Sequence, residues 1–417
     1  ENDIREHIRF RHMVRSAAWS TETACWKVGA ELAETGDTIE FSCNFLYMCG
    51  GYYNYEEGYT PEFNGRDNFK GTVVHPQFWP EDLDYSGKRV VVIGSGATAM
   101  TLVPSMAKNG AQVTMLQRSP TYVVSRPAED KIANTLRKFL PETWAYAITR
   151  FKNINLGNLF YNRSRSAPDK VKTALLDMVR KALPDYDVDK HFTPTYNPWD
   201  QRLCLIPDDD LYDVIKDGSA VVVTDIIDTF TEKGIRLDSG TELEADIIVT
   251  ATGLNLSLVS GLEVTVDNEP VAFSETVSYK GMMYSDIPNM IQTFGYINAS
   301  WTLRADIIAE YACRLLNRMD ELGMSQCTPR LRDEDKNMKL LPWIEGFSAG
   351  YMQRMMHLFP KQGDNGPWKN TQNYSLDKKL IRSAALEDGA LQFSNPIGEI
   401  AQIDQPVDDL EDEKDAA

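Results

Sequence analysis

A glycine-rich turn between two apolar strands is the feature that most constrains the fold of this chain. Residues 88–93 form a predicted strand whose apolar run, 90–93, is of the kind found in buried parallel strands. The turn GSGATA follows at 94–99, and residues 100–108 have the composition of a helix that Asn109-Gly110 can end. Residues 111–117 form the next apolar strand. This order of strand, turn, helix and strand predicts a parallel α/β unit.

The same turn predicts a dinucleotide-binding site. Glycine at the first two fixed positions lets the turn tighten and lets the backbone approach a pyrophosphate, whose charge the helix N-terminus stabilises. Alanine replaces the third glycine, which is a tolerated variant of the fingerprint. A glycine turn in some other α/β protein is the alternative. The candidate cofactor-binding residues of the turn are Gly94, Ser95, Gly96, Ala97, Thr98 and Ala99.

The residues that end the second strand indicate which nicotinamide cofactor is bound. An NAD site usually carries an acidic residue there to hold the ribose hydroxyl, whereas this chain has Gln117-Arg118-Ser119. A cation beside a hydroxyl suits a 2′-phosphate, so Arg118 and Ser119 favour NADPH. An ordinary surface role for Arg118 is the alternative.

Residues 8–51 and 214–253 form a faint internal repeat. Each copy has short β-rich segments with a polar turn, then an apolar strand and a glycine, which is the back half of a dinucleotide-binding module. The second copy ends at Thr252-Gly253, which we assign to the cofactor site. A glycine turn for the first copy would lie about a hundred residues before Gly51, and the sequence before Gly51 holds none. The first copy is therefore expected to lack its front half.

Composition and charge narrow the class of protein further. The net charge is −18, which disfavours nucleic acid as a partner, since phosphates need a basic surface. The six cysteines form no C-x-x-C pair and the five histidines are scattered, so we expect reduced thiols in a cytoplasmic protein and no metal site. The sequence has no apolar run long enough for a transmembrane helix and no signal peptide at its start.

A second motif stands just before the glycine turn. Its fixed residues are Phe69, Gly71, His75, Trp79 and Pro80, in the pattern F-x-G-x-x-x-H-x-x-x-W-P. This string resembles the fingerprint of Baeyer–Villiger monooxygenases, which are class B flavoprotein monooxygenases. The segments VVIGSGATAMTLVP, YNPWDQRLCL and NASWTLRAD are similar to the same family, and the resemblance extends over about residues 4–395.

The resemblance implies an α/β fold with two Rossmann-like dinucleotide-binding domains in three layers, one for FAD and one for NADPH, with a helical insert. The first FAD βαβ unit is expected to be absent, because the first copy of the repeat lacks its front half. The expected domains are the rest of the FAD domain with a hinge at 1–85, the NADP domain at 86–125 and 185–258, the helical insert at 126–184, the return to the FAD domain at 259–395 and an acidic, disordered tail at 396–417.

The resemblance also implies an activity. With NADPH as reductant, one oxygen atom of O2 is inserted into a ketone to give an ester, and related enzymes also oxidise sulfur in sulfides and thioamides. Two alternatives stay open. One is an N-hydroxylating or flavin-monooxygenase-type enzyme, against which Trp79-Pro80 argues. The other is a truncated NADP-binding fragment that cannot hold FAD.

Such chemistry needs a fixed cation beside the flavin that stays protonated at neutral pH, and arginine meets that need. The resemblance places this catalytic arginine at Arg202, in the string WDQRLC. The alternative is a surface ion pair between Arg202 and Asp200 or Asp208. His75 and Trp79 are expected to belong to a hinge between the two domains, with simple packing of a loop as the alternative.

Two other regions carry open interpretations. Asn298, Ser300 and Thr302 stand near the start of a long helix, 303–322, where they can contact the flavin or its phosphates or can form a capping cluster. Asn298 and Trp301 are assigned to the cofactor site. Residues 131–181 hold eleven Lys and Arg residues among aromatic side chains. They predict the helical insert, with either a solvated face or a face for weak contact with a membrane. A homo-oligomer is also left open.

Overall fold

The computed structural model describes residues 3–396, so all but one residue of the predicted acidic tail lie outside the described residues. The chain divides into two compact units. Of the described residues, unit 1 consists of 3–53, 257–345 and 354–396, and unit 2 consists of 54–256 and 346–353. No helix in the part of the chain that the structure describes is long and apolar enough to cross a membrane.

The strands of the described residues are numerous and short. In chain order the strands are β1 (His12–Ser20), β2 (Cys25–Leu32), β3 (Thr38–Cys43), β4 (Leu46–Met48), β5 (Tyr53–Gly58), β6 (Thr72–Val74), β7 (Arg89–Ile93), β8 (Gln112–Gln117), β9 (Val123–Arg126), β10 (Cys204–Pro207), β11 (Ala220–Thr224), β12 (Ile227–Phe230), β13 (Gly234–Leu237), β14 (Glu242–Glu244), β15 (Ile247–Thr250), β16 (Leu254–Leu256), β17 (Glu263–Val266), β18 (Glu269–Pro270), β19 (Ser278–Tyr279), β20 (Met283–Tyr284), β21 (Met290–Gln292), β22 (Gln326–Pro329), β23 (Leu340–Pro342), β24 (Lys361–Gly363) and β25 (Leu391–Ser394).

The helices are fewer and range from one turn to seven. They are α1 (Ala97–Lys108), α2 (Lys131–Phe139), α3 (Glu142–Ser166), α4 (Pro168–Ala182), α5 (Val188–His191), α6 (Asp210–Lys216), α7 (Trp301–Leu322), α8 (Gly350–Met355) and α9 (Tyr374–Asp377). Short 3-10 turns lie at Ile4–His7, Arg66–Asn68, Pro76–Phe78, Leu258–Gly261, Phe273–Glu275, Asp333–Asp335, Met356–Leu358 and Gly366–Trp368, and a π-helical turn lies at Lys378–Arg382.

A five-stranded parallel sheet in the order β11–β8–β7–β15–β6 forms the centre of unit 2. Residues 90–93 of β7 and residues 247–249 of β15 are all apolar, as expected for central strands with both faces covered. Val90 and Val249 pack in one cluster with residues of α1, whereas their neighbours Val91 and Ile248 pack in another with Phe230. The predicted strand, turn, helix and strand are confirmed, and the helix begins three residues earlier than predicted, at Ala97.

Both copies of the predicted repeat show the same order of elements. In unit 2 the antiparallel run β12–β13–β14 leads to β15, and in unit 1 the antiparallel run β1–β2–β3 leads to β4. β4 then pairs in parallel with β21, just as β15 pairs in parallel with β7. The repeat is therefore confirmed, and so is an α/β fold built from two related units.

Unit 1 is held by a second sheet and by a buried ion pair. β1 pairs in parallel with β17, which extends the sheet to the order β18–β17–β1–β2–β3. The long helix α7 ends at Gly323, whose φ of 60° is the left-handed conformation that glycine adopts without strain. Within α7, Arg304 is 1% exposed and pairs with Asp377, which also accepts hydrogen bonds from Tyr296 and Thr371.

Two boundaries differ from the predicted ones. Residues 54–85 belong to unit 2, because β6 is hydrogen-bonded to β15 as the outer strand of its sheet. Residues 346–353 also belong to unit 2, where the Ser348 N–H and hydroxyl donate to the Asp200 carbonyl at 2.8 and 3.0 Å. The helices α2, α3 and α4 lie within the range predicted for the insert.

Candidate functional site

The glycine turn lies at the carboxyl ends of three neighbouring strands of unit 2. Gly94 follows β7, and its N–H donates to the Leu116 carbonyl of β8 at 2.8 Å. Its φ is 137°, and a Cβ at this position would overlap the Ala251 carbonyl oxygen, just beyond β15. Glycine is therefore required here twice, for its backbone conformation and for the close approach of another chain segment.

The second half of the turn is open on its outer side. Gly96 is the N-cap of α1 in an extended conformation, and a Cβ there would meet no atom within 4 Å. Gly96, Ala97 and Thr98 are exposed, and no side chain caps the helix, so its first N–H groups are available to an anion. Ala99 is fully buried, which explains why a small residue stands at the third fixed position.

Arg118 and Ser119 lie directly after β8, at the same edge of the sheet as the turn. The Ser95 hydroxyl donates to the Ser119 carbonyl at 3.1 Å, which joins the turn to this segment. Both Arg118 and Ser119 are exposed, and the Arg118 guanidinium has no ion-pair partner within residues 3–396. The edge therefore offers helix N–H groups, a hydroxyl and a free cation, which fit the phosphates of a dinucleotide carrying a 2′-phosphate.

Arg202 is an exposed cation just before β10. Within residues 3–396, Arg202 forms neither of the ion pairs considered as its alternative role, with Asp200 or with Asp208. Asp200 pairs with Arg165 at 2.6 Å, and Asp208 accepts a hydrogen bond from the Ala128 N–H at 3.1 Å. Among the described residues, Arg202 has neither an acidic partner nor a hydrogen bond, so its charge stays available.

Cys204 connects the Arg202 segment to the glycine turn. The Cys204 thiol points at the Ser95 carbonyl, with sulfur and oxygen 3.8 Å apart. Burial raises the pKa of this thiol to about 11, against smaller opposing effects of the Thr121 hydroxyl and the Arg202 charge. Arg202 is thus two residues from a side chain that touches the turn. Sequence reasoning missed Cys204, and no local pattern could have found it, since the two contacting residues are far apart in the chain.

The segment before Arg202 is held in an unusual conformation. Trp199 has a φ of 71°, which is rare for a large side chain. Its indole packs edge-on against Phe160 and Tyr161 of α3, while its Nε1–H is buried with no acceptor in the described part of the chain. The Asp200 carboxylate also accepts from the Asn197 N–H at 3.1 Å. These contacts fix the backbone that carries Arg202.

The first two fingerprint residues shape the outer strand of the unit 2 sheet. Phe69 is buried and packs edge-on against Phe230 at a centroid distance of 6.5 Å. A Cβ on Gly71 would overlap the Asp246 carbonyl and lie 2.5 Å from the Phe69 ring. Glycine at this position therefore lets β6 lie beside β15.

His75 is engaged at both ring nitrogens. Nε2 donates to the Gly253 carbonyl at 3.1 Å, and Nδ1 accepts from the Gln77 N–H at 3.2 Å, which requires the neutral ring with its proton on Nε2. A Cβ on Gly58 would overlap the imidazole, so the ring lies against that backbone. The Thr252 hydroxyl donates to the Tyr59 carbonyl at 2.6 Å and joins the same segments. In this arrangement no ring nitrogen is left to act as a base.

The last two fingerprint residues lie beside the core of unit 2. Trp79 packs against the cluster on the α1 side of the sheet and meets Tyr85 edge-on at 6.1 Å. Pro80 is exposed, and its carbonyl accepts from the Leu83 N–H at 3.2 Å. These contacts stabilise the chain where it enters β7.

Asn298 and Trp301 belong to unit 1, whereas the glycine turn and Arg202 belong to unit 2. Trp301 begins α7 and stacks on Tyr52 at a centroid distance of 5.2 Å. The Asn298 amide donates to the Gln372 carbonyl at 3.2 Å. Ser300 is the N-cap of α7, but its hydroxyl is hydrogen-bonded to the Thr302 hydroxyl at 2.8 Å and accepts from no main-chain N–H of the helix, so the capping role considered for it is wrong.

Among residues 3–396, no group of three or more His, Cys, Asp or Glu side chains is arranged to hold a metal ion. The site therefore consists of main-chain N–H groups, small hydroxyls and two free arginines. Such a set can bind phosphates and stabilise negative charge.

Comparison with known proteins identifies relatives along most of the chain. Residues 1–326 match the family described as flavin-binding monooxygenase-like. The chain is 50% identical over 400 residues to the FAD-containing monooxygenase EthA of Mycobacterium tuberculosis, covering 95% of this chain and 81% of EthA. It is 45% identical over 408 residues to the probable FAD-binding monooxygenase AlmA of Acinetobacter baylyi, covering 97% of this chain and 81% of AlmA.

Solved structures show the same fold at low identity. A steroid monooxygenase, oxidised and bound to NADP, superposes with a TM-score of 0.71 at 21% identity, covering 94% of this chain and 82% of that one. An open form of cyclohexanone monooxygenase gives a TM-score of 0.63 at 18% identity, covering 80% and 72% of the two chains.

Proposed function

The chain belongs to the flavin-binding monooxygenase-like family, and we propose that it uses FAD, NADPH and O2 to insert one oxygen atom into ketones, giving esters. The observation that carries the proposal is the position of Arg202. It is an unpaired guanidinium, two residues from the thiol that contacts the glycine turn. A cation that cannot lose its proton at neutral pH is what the developing negative charge of this reaction requires.

The proposed nicotinamide site is the edge formed by the glycine turn, Arg118 and Ser119. The first N–H groups of α1 would hold the pyrophosphate, and Arg118 with Ser119 would hold the 2′-phosphate. Thr252 and Gly253 follow β15 at the same edge and would bound the site on its other side.

Asn298 and Trp301 are the residues of unit 1 proposed to contact the flavin. Bound FAD would take a hydride from NADPH and activate O2. The Trp301 ring stacks on Tyr52, and a Cβ on Gly295 would overlap that ring, so the Gly295 backbone packs directly against it. Asn298 is held by Gln372 through its amide NH2 only, which leaves its side-chain oxygen free to accept a hydrogen bond.

The proposed substrates are small ketones, with sulfides and thioamides as a second class that enzymes resembling this one oxidise. A panel of ketones, sulfides, thioamides and primary amines, assayed with NADPH and O2, separates the classes. Ester products support the main proposal. N-hydroxylated amines as the only products would favour the alternative of an N-hydroxylating enzyme, and absence of bound flavin would favour the alternative of an NADP-binding fragment.

Arg202→Ala tests the catalytic assignment. Reduction of the flavin by NADPH should stay within about threefold of wild type, while ester formation should fall by roughly a hundredfold or more. Arg236→Ala is the matched control, because Arg236 is an arginine of the same unit, 51% exposed and paired with Asp228. Ester formation by Arg202→Ala at the wild-type rate would remove Arg202 from the mechanism.

Arg118→Ala tests the choice of NADPH. Loss of a charge-assisted contact with a 2′-phosphate should weaken NADPH binding by about tenfold to a hundredfold and leave NADH binding nearly unchanged. Equal effects on the two cofactors would show that Arg118 does not recognise the 2′-phosphate. Binding can be measured by calorimetry, which does not depend on turnover.

We also propose a cytoplasmic protein that contacts the inner face of the membrane through residues 131–181, and a homo-oligomer as its assembled state. The net charge of −18 argues against a nucleic-acid partner. Sedimentation velocity over a range of concentrations tests the oligomer, and a single monomer peak throughout would exclude it.

A further inference from the structure

The helical insert carries a set of large apolar side chains that no other part of the described chain covers. Between 41% and 80% of each of these side chains is exposed, whereas apolar side chains of this size are usually buried. We define the insert face by the residues Phe139, Trp144, Ile148, Phe151 and Leu159. Large apolar side chains exposed together in one segment mark an interaction site.

The spacing of these residues places them on one side of α3. Trp144, Ile148, Phe151 and Leu159 recur at intervals of four, three and eight, which brings them onto one stripe of a helix with 3.6 residues per turn. Phe139 ends α2 immediately before, and α2 and α3 are in contact. The buried Ser164 of α3 lies on the opposite side of the helix from this stripe.

The charge around the insert face is opposite to that of the whole protein. The chain has a net charge of −18. Across residues 131–165 the only acid is Glu142, and the bases are Lys131, Arg137, Lys138, Arg150, Lys152, Arg163 and Arg165. Lys138 and Arg163 are exposed and have no acidic partner within residues 3–396, whereas Lys152 and Arg165 are paired with Asp130 and Asp200.

We propose that the insert face docks on the surface of an anionic phospholipid bilayer. Trp144 suits the boundary between headgroups and acyl chains, and Phe151 and Leu159 suit the acyl region. Lys138 and Arg163 would attract the anionic headgroups. A second copy of the chain is a poorer occupant, because two insert faces would bring two basic surfaces together. This proposal makes the suggested membrane contact specific, and it does not depend on the oxygen chemistry.

Co-sedimentation of the purified full chain with vesicles tests the proposal. We expect binding to vesicles of phosphatidylcholine and phosphatidylglycerol at low salt, weaker binding at 0.5 M salt, and little binding to phosphatidylcholine alone. The double variant Trp144→Ser/Phe151→Ser should bind at least about tenfold more weakly. In Lys138→Gln/Arg163→Gln, the affinity for anionic vesicles should fall by roughly fivefold for each charge removed, and only at low salt.

Phe10→Ser is the matched control, because Phe10 is a similarly exposed aromatic residue of unit 1, 62% exposed. It should leave vesicle binding unchanged. Surface substitutions of this kind alter stability little, and an unchanged melting temperature confirms that each variant is folded. The proposal would be overturned if the protein did not bind anionic vesicles at low salt, or if Phe10→Ser lost as much vesicle binding as Trp144→Ser/Phe151→Ser. It would also be overturned if the protein bound no vesicles but self-associated, and Trp144→Ser/Phe151→Ser abolished that self-association.

Discussion

Replacing Gly94 with alanine tests the geometry of the glycine turn, and Gly96 provides a matched control in the same turn. Gly94 has a φ of 137°, and a Cβ there would overlap the Ala251 carbonyl oxygen. The backbone conformation costs a residue with a Cβ about 1–3 kcal/mol, and the overlap costs about 1–3 kcal/mol more, because a main-chain oxygen cannot rotate away. We therefore expect Gly94→Ala to lower the free energy of unfolding by roughly 2–6 kcal/mol.

Gly96→Ala should behave in the opposite way. Gly96 has a negative φ, and a Cβ on it would meet no atom within 4 Å, so the fold should lose less than about 1 kcal/mol, as expected for alanine at an N-cap. The new methyl group would stand where the pyrophosphate approaches the helix N-terminus. We expect NADPH to bind at least about tenfold more weakly, a difference of about 1.4 kcal/mol.

Two assays separate these effects. Thermal unfolding should show a fall in Tm of roughly 5–20 °C for Gly94→Ala and less than about 4 °C for Gly96→Ala, at 2–4 °C per kcal/mol for a unit of this size. Calorimetric titration with NADPH should show the loss of affinity in Gly96→Ala. A Tm of Gly94→Ala equal to that of wild type would refute the close approach to Ala251. Unchanged NADPH affinity in Gly96→Ala would refute the placement of the pyrophosphate.

Three further predictions concern ionisable groups. Hydrogen bonds from Arg89 lower the pKa of Asp246 to about 2. With solvent screening taken into account, Asp246→Asn should lower the free energy of unfolding by about 1 kcal/mol at neutral pH. The Tm difference between this variant and wild type should vanish as the pH falls from 3.8 to about 2, because the wild-type carboxylate becomes protonated. Asp377→Asn leaves the buried Arg304 charge without its ion-pair partner, so it should lower the free energy of unfolding, measured with denaturant, by about 3–5 kcal/mol. Cys204 should resist alkylation at pH 8 until urea unfolds the chain, because burial raises its pKa; mass spectrometry measures the modified site.

The glycine turn was predictable because every signal for it lies within 30 residues. A strand, two glycines, a helix and a second strand follow one another along the chain, and the structure places them as expected. The repeat was readable for a similar reason, since each copy is a run of local antiparallel pairings.

The contacts around Arg202 could not be predicted in the same way. They join residues that are distant in sequence: Cys204 with Ser95, Asp200 with Arg165, and Ser348 with Asp200. Composition and periodicity report which residues are buried, not which distant segment covers them. For this reason the sequence left an ion pair with Asp200 open, and only the structure shows that this acid is bound elsewhere.

The spacing of the fingerprint follows from the length of one outer strand. Phe69 and Gly71 let the chain approach β15, the three residues of β6 pair with it, and His75 comes directly after. Because parallel strands end at the same edge, this position brings His75 to Gly253, which follows β15, and the two form a hydrogen bond at 3.1 Å. A strand one residue longer or shorter would turn the imidazole to the other face of the sheet and break that bond. The interval between Gly71 and His75 is therefore a structural requirement, whether or not the segment also moves during catalysis.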